Sequence, residues 1–236
     1  MSEKLNLLDV RPEHFATGVF NPAGAILTWL KNEDAYWQYE GEPSPKKPHA
    51  ELSSGACSNG FINMRSILQY PNVCEILGKA LAWRLKEYGV ETDYVVSSPY
   101  SAITLGYEVA KELKAIFVHP IKDPSDQRQK RMLWRGKPIP TGSRVLQVEE
   151  LVTTASTANE VRNAVIMGDG QGTLNWFHGV ATLVHRPAKV PTFYYGISVI
   201  SLLEKVMQNF TENCPYCAAG SKKLRPRANW AELTKV

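Results

Sequence analysis

The chain has 236 residues, 44% hydrophobic and 21% charged, with 27 basic residues against 23 acidic ones and a formal charge of +4. That length suits one sizeable core with a small appended element, and the mild basic excess excludes a nucleic-acid-binding field while favouring anionic small molecules. Charges interrupt the N-terminal MSEKLNLLDVRPEHF and no later stretch nears the roughly 20 apolar residues of a membrane span, so a soluble, cytoplasmic protein with neither nucleic acid nor membrane as a partner is expected.

Residues 1–48 read as an N-terminal arm. Trp29, Tyr36, Trp37 and Tyr39 imply that it packs against something, either as a hood over a ligand or against a second subunit. The proline- and charge-rich GEPSPKKPHAE (41–51) reads as a linker or surface arm. After Pro71, Ile76, Leu77, Ala80, Leu81 and Leu85 fall at helical spacing, and the helix is expected to stop at Gly89, a glycine C-cap. Strands and helices then alternate. YVVSS (94–98) is followed by ITLGYEVAKEL, and AIFVH (115–119) by a long polar stretch. RVLQVEE (144–150) leads into TANEVRNAVIM, and GVATLVH (179–185) precedes YYGISVI (194–200). VISLLEKVMQNF (199–210) looks helical, and residues 211–236 form a tail. Short β-rich runs without polar alternation, separated by helices, predict an α/β fold with a parallel sheet covered on both faces. Ligands of such sheets sit beyond the carboxyl ends of the strands.

The richest stretch is RVLQVEELVTTASTANEV (144–161). Val145, Leu146 and Val148 belong to a buried strand, and Glu149 and Glu150 fall at its carboxyl end. Thr153, Thr154, Ala155, Ser156 and Thr157 follow, and Thr157 with Glu160 forms a capping-box pattern that places the helix start at 157. Small residues opening into a helix present free backbone amides, hydroxyls and the positive end of the dipole to one spot, which is a phosphate cradle. The two carboxylates would repel phosphate, and suit sugar hydroxyls, a developing positive charge or a metal carried by the substrate. A phosphorylated ribose satisfies both halves.

This stretch resembles the phosphoribosyl-pyrophosphate (PRPP) signature of the type I phosphoribosyltransferases, in which a buried strand runs into two acids and a hydroxyl-rich loop. Three further stretches are similar to the orotate phosphoribosyltransferase branch: LSSGACSNGFINMRSILQYP (52–71), MLWRGKPIPTGSRVLQVEE (132–150) and the tail segment CPYCAAGSKKLRP (214–226). The likeness covers roughly residues 49–227. It implies a type I phosphoribosyltransferase-like core over 49–210, with a small hood from the N- and C-terminal segments. It also implies PRPP with magnesium, a nucleobase as the second substrate, and a homodimer. Thr153 to Thr157 would hold the 5′-phosphate and Glu149 with Glu150 the ribose hydroxyls. Ser98, Pro99, Tyr100 and Ser101 match the pyrophosphate loop. Arg128, Lys130, Arg131 and Arg135 lie in the stretch (122–137) that matches a mobile loop closing over pyrophosphate. Ser54 and Gly55 match the base-binding segment.

The departures are specific. Glu150 stands where the family usually has aspartate, and Ala155 where the loop usually has glycine. His119 and Pro120 replace an acid and an arginine, and Ala56 and Cys57 replace a basic residue and a frequent histidine. Two functions therefore follow. One is a PRPP-dependent transferase, acting first on an orotate-like pyrimidine and second on a purine or other base. The other is a catalytically weakened relative that binds PRPP or a nucleotide as a regulator.

Four cysteines do not make a disulfide framework in a chain this long. Cys214 and Cys217, spaced as CPYC, have three readings: ordinary packing, half of a zinc site, or a redox pair. A zinc site needs two more ligands, for which Cys57, Cys74, His49, His178 and His185 are the candidates. The bland expectation for His178 is a strand-edge position and for His14 a surface one.

Overall fold

In a computed structural model, the structure describes all residues except 1–3, 12, 14–19, 129, 169–171, 191–193, 195 and 236; His14 lies outside the described residues. The arm contributes helix α1 (Pro22–Asn32) and strand β1 (Tyr36–Gln38), and β2 (His49–Glu51), β3 (Cys57–Ser58) and β4 (Gly60–Ile62) follow. Next come α2 (Arg65–Leu68), α3 (Pro71–Glu87), β5 (Tyr94–Ser97), α4 (Ile103–Leu113) and β6 (Ile116–Val118). A hairpin of β7 (Ile121–Lys122) and β8 (Met132–Leu133) leads to β9 (Arg144–Val152), α5 (Ser156–Ile166), β10 (Asn175–His185) and β11 (Ser198–Glu204). β12 (Asn209–Phe210) follows, and the tail holds α6 (Pro215–Ala218), β13 (Lys223–Leu224) and α7 (Trp230–Leu233).

The main sheet has five parallel strands in the order β11-β10-β9-β5-β6. Apolar residues on both faces of its strands require cover on both sides. On one face Val95, Leu146, Val148, Ala181 and Leu183 share a core with α1 and α3 and with Leu105 and Val109 of α4. On the other, Val96 and Val145 pack with Val161 and Val165 of α5 and Met132 of the hairpin. The predicted helix stop is a Schellman motif. Val90 N–H bonds to Leu85 O and Gly89 N–H to Lys86 O, both at 3.0 Å, and Gly89 takes φ +66°, a conformation open to a residue without Cβ.

A second sheet, β12-β3-β2-β13, joins the β2–β3 hairpin that follows the arm to the tail, and β1 pairs antiparallel with β4. The arm's aromatics pack within the chain: Trp29 in the main core, Trp37 and Tyr39 with Tyr216, Leu224 and Leu233 of the tail. The linker 41–51 is irregular only as far as Pro48, because His49–Glu51 finds ladder partners on both sides. The helical pattern of 199–210 is overridden. Ser198–Glu204 pairs parallel with Gly179–His185 and becomes the edge strand, so the sheet's register, and not local propensity, decides its form. Among the described residues no helix is long and apolar enough to cross a membrane.

Candidate active site

In sequence order the main-sheet strands lie 2-1-3-4-5, so the order reverses between β5 and β9. At such a switch point the loops leaving two neighbouring strands diverge and open a crevice beyond their carboxyl ends. The loops leaving these two strands are 98–101 and 153–157, the two predicted phosphate-binding segments.

The strand places its two acids on opposite faces, as a period of two requires. Glu149 shares the α5 face with Gln147. Its carboxylate accepts from the Ser98 hydroxyl across the switch point and from Gln147 Nε2 at 3.0 Å. Gln147 is fixed in turn, donating to Ala158 O at 3.2 Å and accepting from Arg162 Nε at 3.0 Å. A buried chain from Arg162 through Gln147 thus orients the acid. Burial, and then the neighbouring Glu150, push Glu149 up to about 8, against the Ser98 and Gln147 hydrogen bonds. Glu150 also lies above its ordinary value because it is buried, opposed by its own backbone amide, Ser101 and Arg65. Arg65 Nε donates to Ser101 Oγ at 2.9 Å, so Glu150, Ser101 and Arg65 form a second cluster on the other face.

Glu149 opens into a small pocket lined also by Thr153, Ala155, Ser156, Thr157 and Ala158. The helix starts at Ser156, one residue before the expected 157, and the capping box does not form: Ala155 is the cap, at φ +56°, with no side-chain hydrogen bond. Thr157 is exposed, and the first-turn amides receive no side-chain acceptor from the cap, so they stay available to a ligand. Ala155 adopts the left-handed backbone that glycine takes without strain, and it is buried in a cluster with Val152, Ala158 and Val180. Tyr194 OH donates to Thr153 O at 2.6 Å and meets His185 Nε2 at 3.0 Å, which fastens the loop to the strand ends.

In the 98–101 turn, Ser98 and Pro99 are buried and Tyr100 is exposed. The basic stretch forms the β7–β8 hairpin, whose tip wraps carboxylates. Asp126 accepts from the amides of Arg128, Lys130 and Arg131, and buried Asp123 pairs with the Arg131 side chain. Lys130 and Arg131 line an open depression with Glu160 of α5, while Arg128 and Arg135 are exposed. Ser54 and Gly55 form the exposed turn of the β2–β3 hairpin, closed by Gly55 N–H to Leu52 O at 2.9 Å. The structure thus joins Glu149, Ser98 and the hydroxyl loop, and separately Glu150 with Ser101. It leaves Ser54, Gly55, Arg128 and Arg135 on exposed segments. His178 is exposed within β10, and Cys214 is the N-cap of the one-turn helix α6, with Cys217 inside it.

Sequence reasoning passed over several residues. Gln147 was visible as a polar residue inside an apolar strand. Arg162, Tyr194 and Arg186 carried no such signal. Arg186, just past β10, is buried, donates to Ser58 Oγ at 3.0 Å and Asn209 Oδ1 at 2.5 Å, and its Nε–H has no partner among the described residues. Burial lowers it to about 10, still cationic at neutral pH.

No protein-family model matches the chain. It is 33% identical over 184 residues to an orotate phosphoribosyltransferase of Caldanaerobacter subterraneus subsp. tengcongensis, covering 76% of this chain and 88% of that protein. It is 34% identical over 183 residues to the enzyme of the same name from a Thermoanaerobacter species, with the same shares covered, 76% and 88%. Among solved structures, the orotate phosphoribosyltransferase of Aeropyrum pernix superposes with a TM-score of 0.54 at 18% identity, over 74% of this chain and 90% of that one, which speaks for the fold alone. On the strength of the sequence relatives, the chain belongs to the orotate phosphoribosyltransferase family.

Proposed function

We propose that this chain transfers ribose 5-phosphate from PRPP to orotate or a closely similar acidic pyrimidine, releasing pyrophosphate, as a step of pyrimidine nucleotide synthesis. The observation that carries the reading is Glu149. It is a buried acid in the hydroxyl-loop pocket, bonded across the switch point to Ser98 of the pyrophosphate-loop segment.

The 5′-phosphate docks on the first-turn amides of α5 and the hydroxyls of Thr153, Thr154, Ser156 and Thr157, with Ala155 shaping the turn. Glu149 and Glu150 address the ribose hydroxyls from the two faces of β9. PRPP enters as its magnesium complex, so the metal arrives with the substrate and near these acids. The bond from C1′ to pyrophosphate breaks and its electron pair leaves with pyrophosphate, while a ring nitrogen of the base donates its pair to C1′ and gives up its proton to a pyrophosphate oxygen. Positive charge gathers on the ribose as the bonds exchange, and a nearby carboxylate stabilises it. The amides of 98–101 meet the departing pyrophosphate, and Arg128, Lys130, Arg131 and Arg135 supply cations when the hairpin closes over it and excludes water. Arg131 must first exchange Asp123 for the substrate. Ser54 and Gly55 approach the base from the second sheet, and Arg186 is the buried cation suited to its carboxylate.

The division into an arm (1–48), a core (49–210) and a tail (211–236) fits this mechanism if the second sheet acts as a hood. Exposed Trp83, Tyr88 and Tyr107 supply apolar surface for a homodimer. Magnesium with PRPP is expected to raise Tm, and adding orotate to release pyrophosphate. No shift with PRPP would refute the reading, and a shift without turnover across a panel of bases would leave a binding-only regulator.

A further inference from the structure

Outside the pocket, four side chains that can hold a metal converge where the tail meets the β2–β3 hairpin. His49 lies on β2, Cys57 on β3, Cys214 caps α6 and Cys217 sits one turn later. Their ligand atoms all lie within 4.8 Å of one another. Cys57 Sγ is 3.6 Å from Cys217 Sγ, and His49 Nε2 is 3.4 Å from Cys217 Sγ and 3.7 Å from Cys214 Sγ. A disulfide would need about 2.05 Å between sulfurs. Zinc bonds of about 2.3 Å to sulfur and 2.0–2.1 Å to nitrogen, arranged as a tetrahedron, set the ligand atoms about 3.5–3.8 Å apart; the three contacts above, at 3.4–3.7 Å, come within about 0.1 Å of that range, and the other pairs lie within 4.8 Å.

The histidine carries independent support. Its side chain is fully buried, and Nδ1 lies 2.9 Å from Ser221 Oγ. The Ser221 hydroxyl gives its own proton to Lys47 O at 2.6 Å, so toward His49 it accepts. Nδ1 therefore holds the ring proton and Nε2 turns a lone pair toward the cysteine sulfurs. A partner that fixes the tautomer in this way is the usual companion of a ligating histidine. Tyr216 stacks on the imidazole at 5.5 Å and holds its plane.

We propose that His49, Cys57, Cys214 and Cys217 bind one zinc ion as a closed Cys3His site that pins the tail to the hairpin bearing Ser54 and Gly55. Four protein ligands leave no open position, so the role is structural. Cys57 lies 160 residues from Cys217 and His49 165 from Cys214, so the ion clamps segments that meet only in the folded chain. Cys74, buried in the main core with α3, is no part of it.

The test is metal analysis of the purified full-length protein. About one zinc per chain is expected, together with intense visible d–d absorption, typical of tetrahedral cobalt, after cobalt exchange. Cys217→Ser should lose most of the metal, and Cys74→Ser should keep it. Chelation in magnesium-free buffer should release the zinc and lower Tm. Zinc-free protein with four titratable thiols, a Cys57–Cys217 disulfide in mass spectra, or full zinc content in Cys217→Ser would each overturn the proposal. Should Cys217→Ser fail to fold, the stoichiometry and cobalt spectrum of the unaltered protein decide alone.

Discussion

Glu149 is an acid held where its charged form is disfavoured. Its folded value of about 8 exceeds the ordinary 4.5, so the folded chain binds this proton more tightly than the unfolded one. The resulting stabilisation is complete below pH 4.5 and disappears as pH rises through 8. Glu149→Gln cannot ionise, and its Tm advantage over the unaltered protein should grow from pH 5 to pH 9. Each kcal/mol is worth about 2–4 °C in a chain of this size. At pH 9, where Glu149 is ionised, the same substitution removes the charge proposed to answer the ribose cation, and should slow transfer by roughly 10²–10³-fold in an initial-rate assay. An unchanged rate would remove Glu149 from the chemistry. The identity and placement of this acid were legible from an apolar run ending in carboxylates. The relay behind it was not, since Arg162 meets Gln147 only once α5 has docked on the sheet, and Tyr194 reaches Thr153 from 41 positions away. Arg186, the cation proposed to meet an acidic base, was equally hidden, because nothing local distinguishes it from a surface arginine.

The elements most legible in the sequence were those with long, consistent periodicity. Pro71–Glu87 and Ile103–Leu113 fall where their apolar spacing puts them, and β5, β9 and β10 lie on their apolar runs. The misreadings sit where tertiary pairing decides: the helix-like 199–210, of which the part up to Glu204 continues as strand from the β-rich run ending at Ile200, and the start of α5, where a left-handed Ala155 takes the place of a threonine cap. Packing between elements gives a further expectation. Gly78 of α3 lies so close to α4 that an added Cβ would stand 2.5 Å from Glu108 Cβ. Gly78→Ala should push the two helices apart and destabilise the protein by about 1–3 kcal/mol, measured by denaturant unfolding, against the gain in helix propensity that an exposed site would show.

The whole molecule has two cores of unequal independence. The main sheet and its helices draw on residues from Leu7 to Met207, whereas the second cluster joins Trp37, Tyr39, Ala50 and Cys57 to Cys214, Tyr216, Leu224 and Leu233. Truncation after Phe210 removes β13, α6 and half of that cluster and leaves the five parallel strands intact. Far-UV circular dichroism should keep most of its amplitude, and KM for the base should rise at least about tenfold, the weight of one lost set of hood contacts near 1.4 kcal/mol. Loss of all secondary structure would show the two cores to be one cooperative unit. The parallel pairing of Lys223–Leu224 with His49–Ala50 also has a bearing on synthesis. A growing polypeptide displays the β2 edge long before Lys223 and Leu224 are made, so ribosome-bound intermediates carry an open strand until translation has passed them.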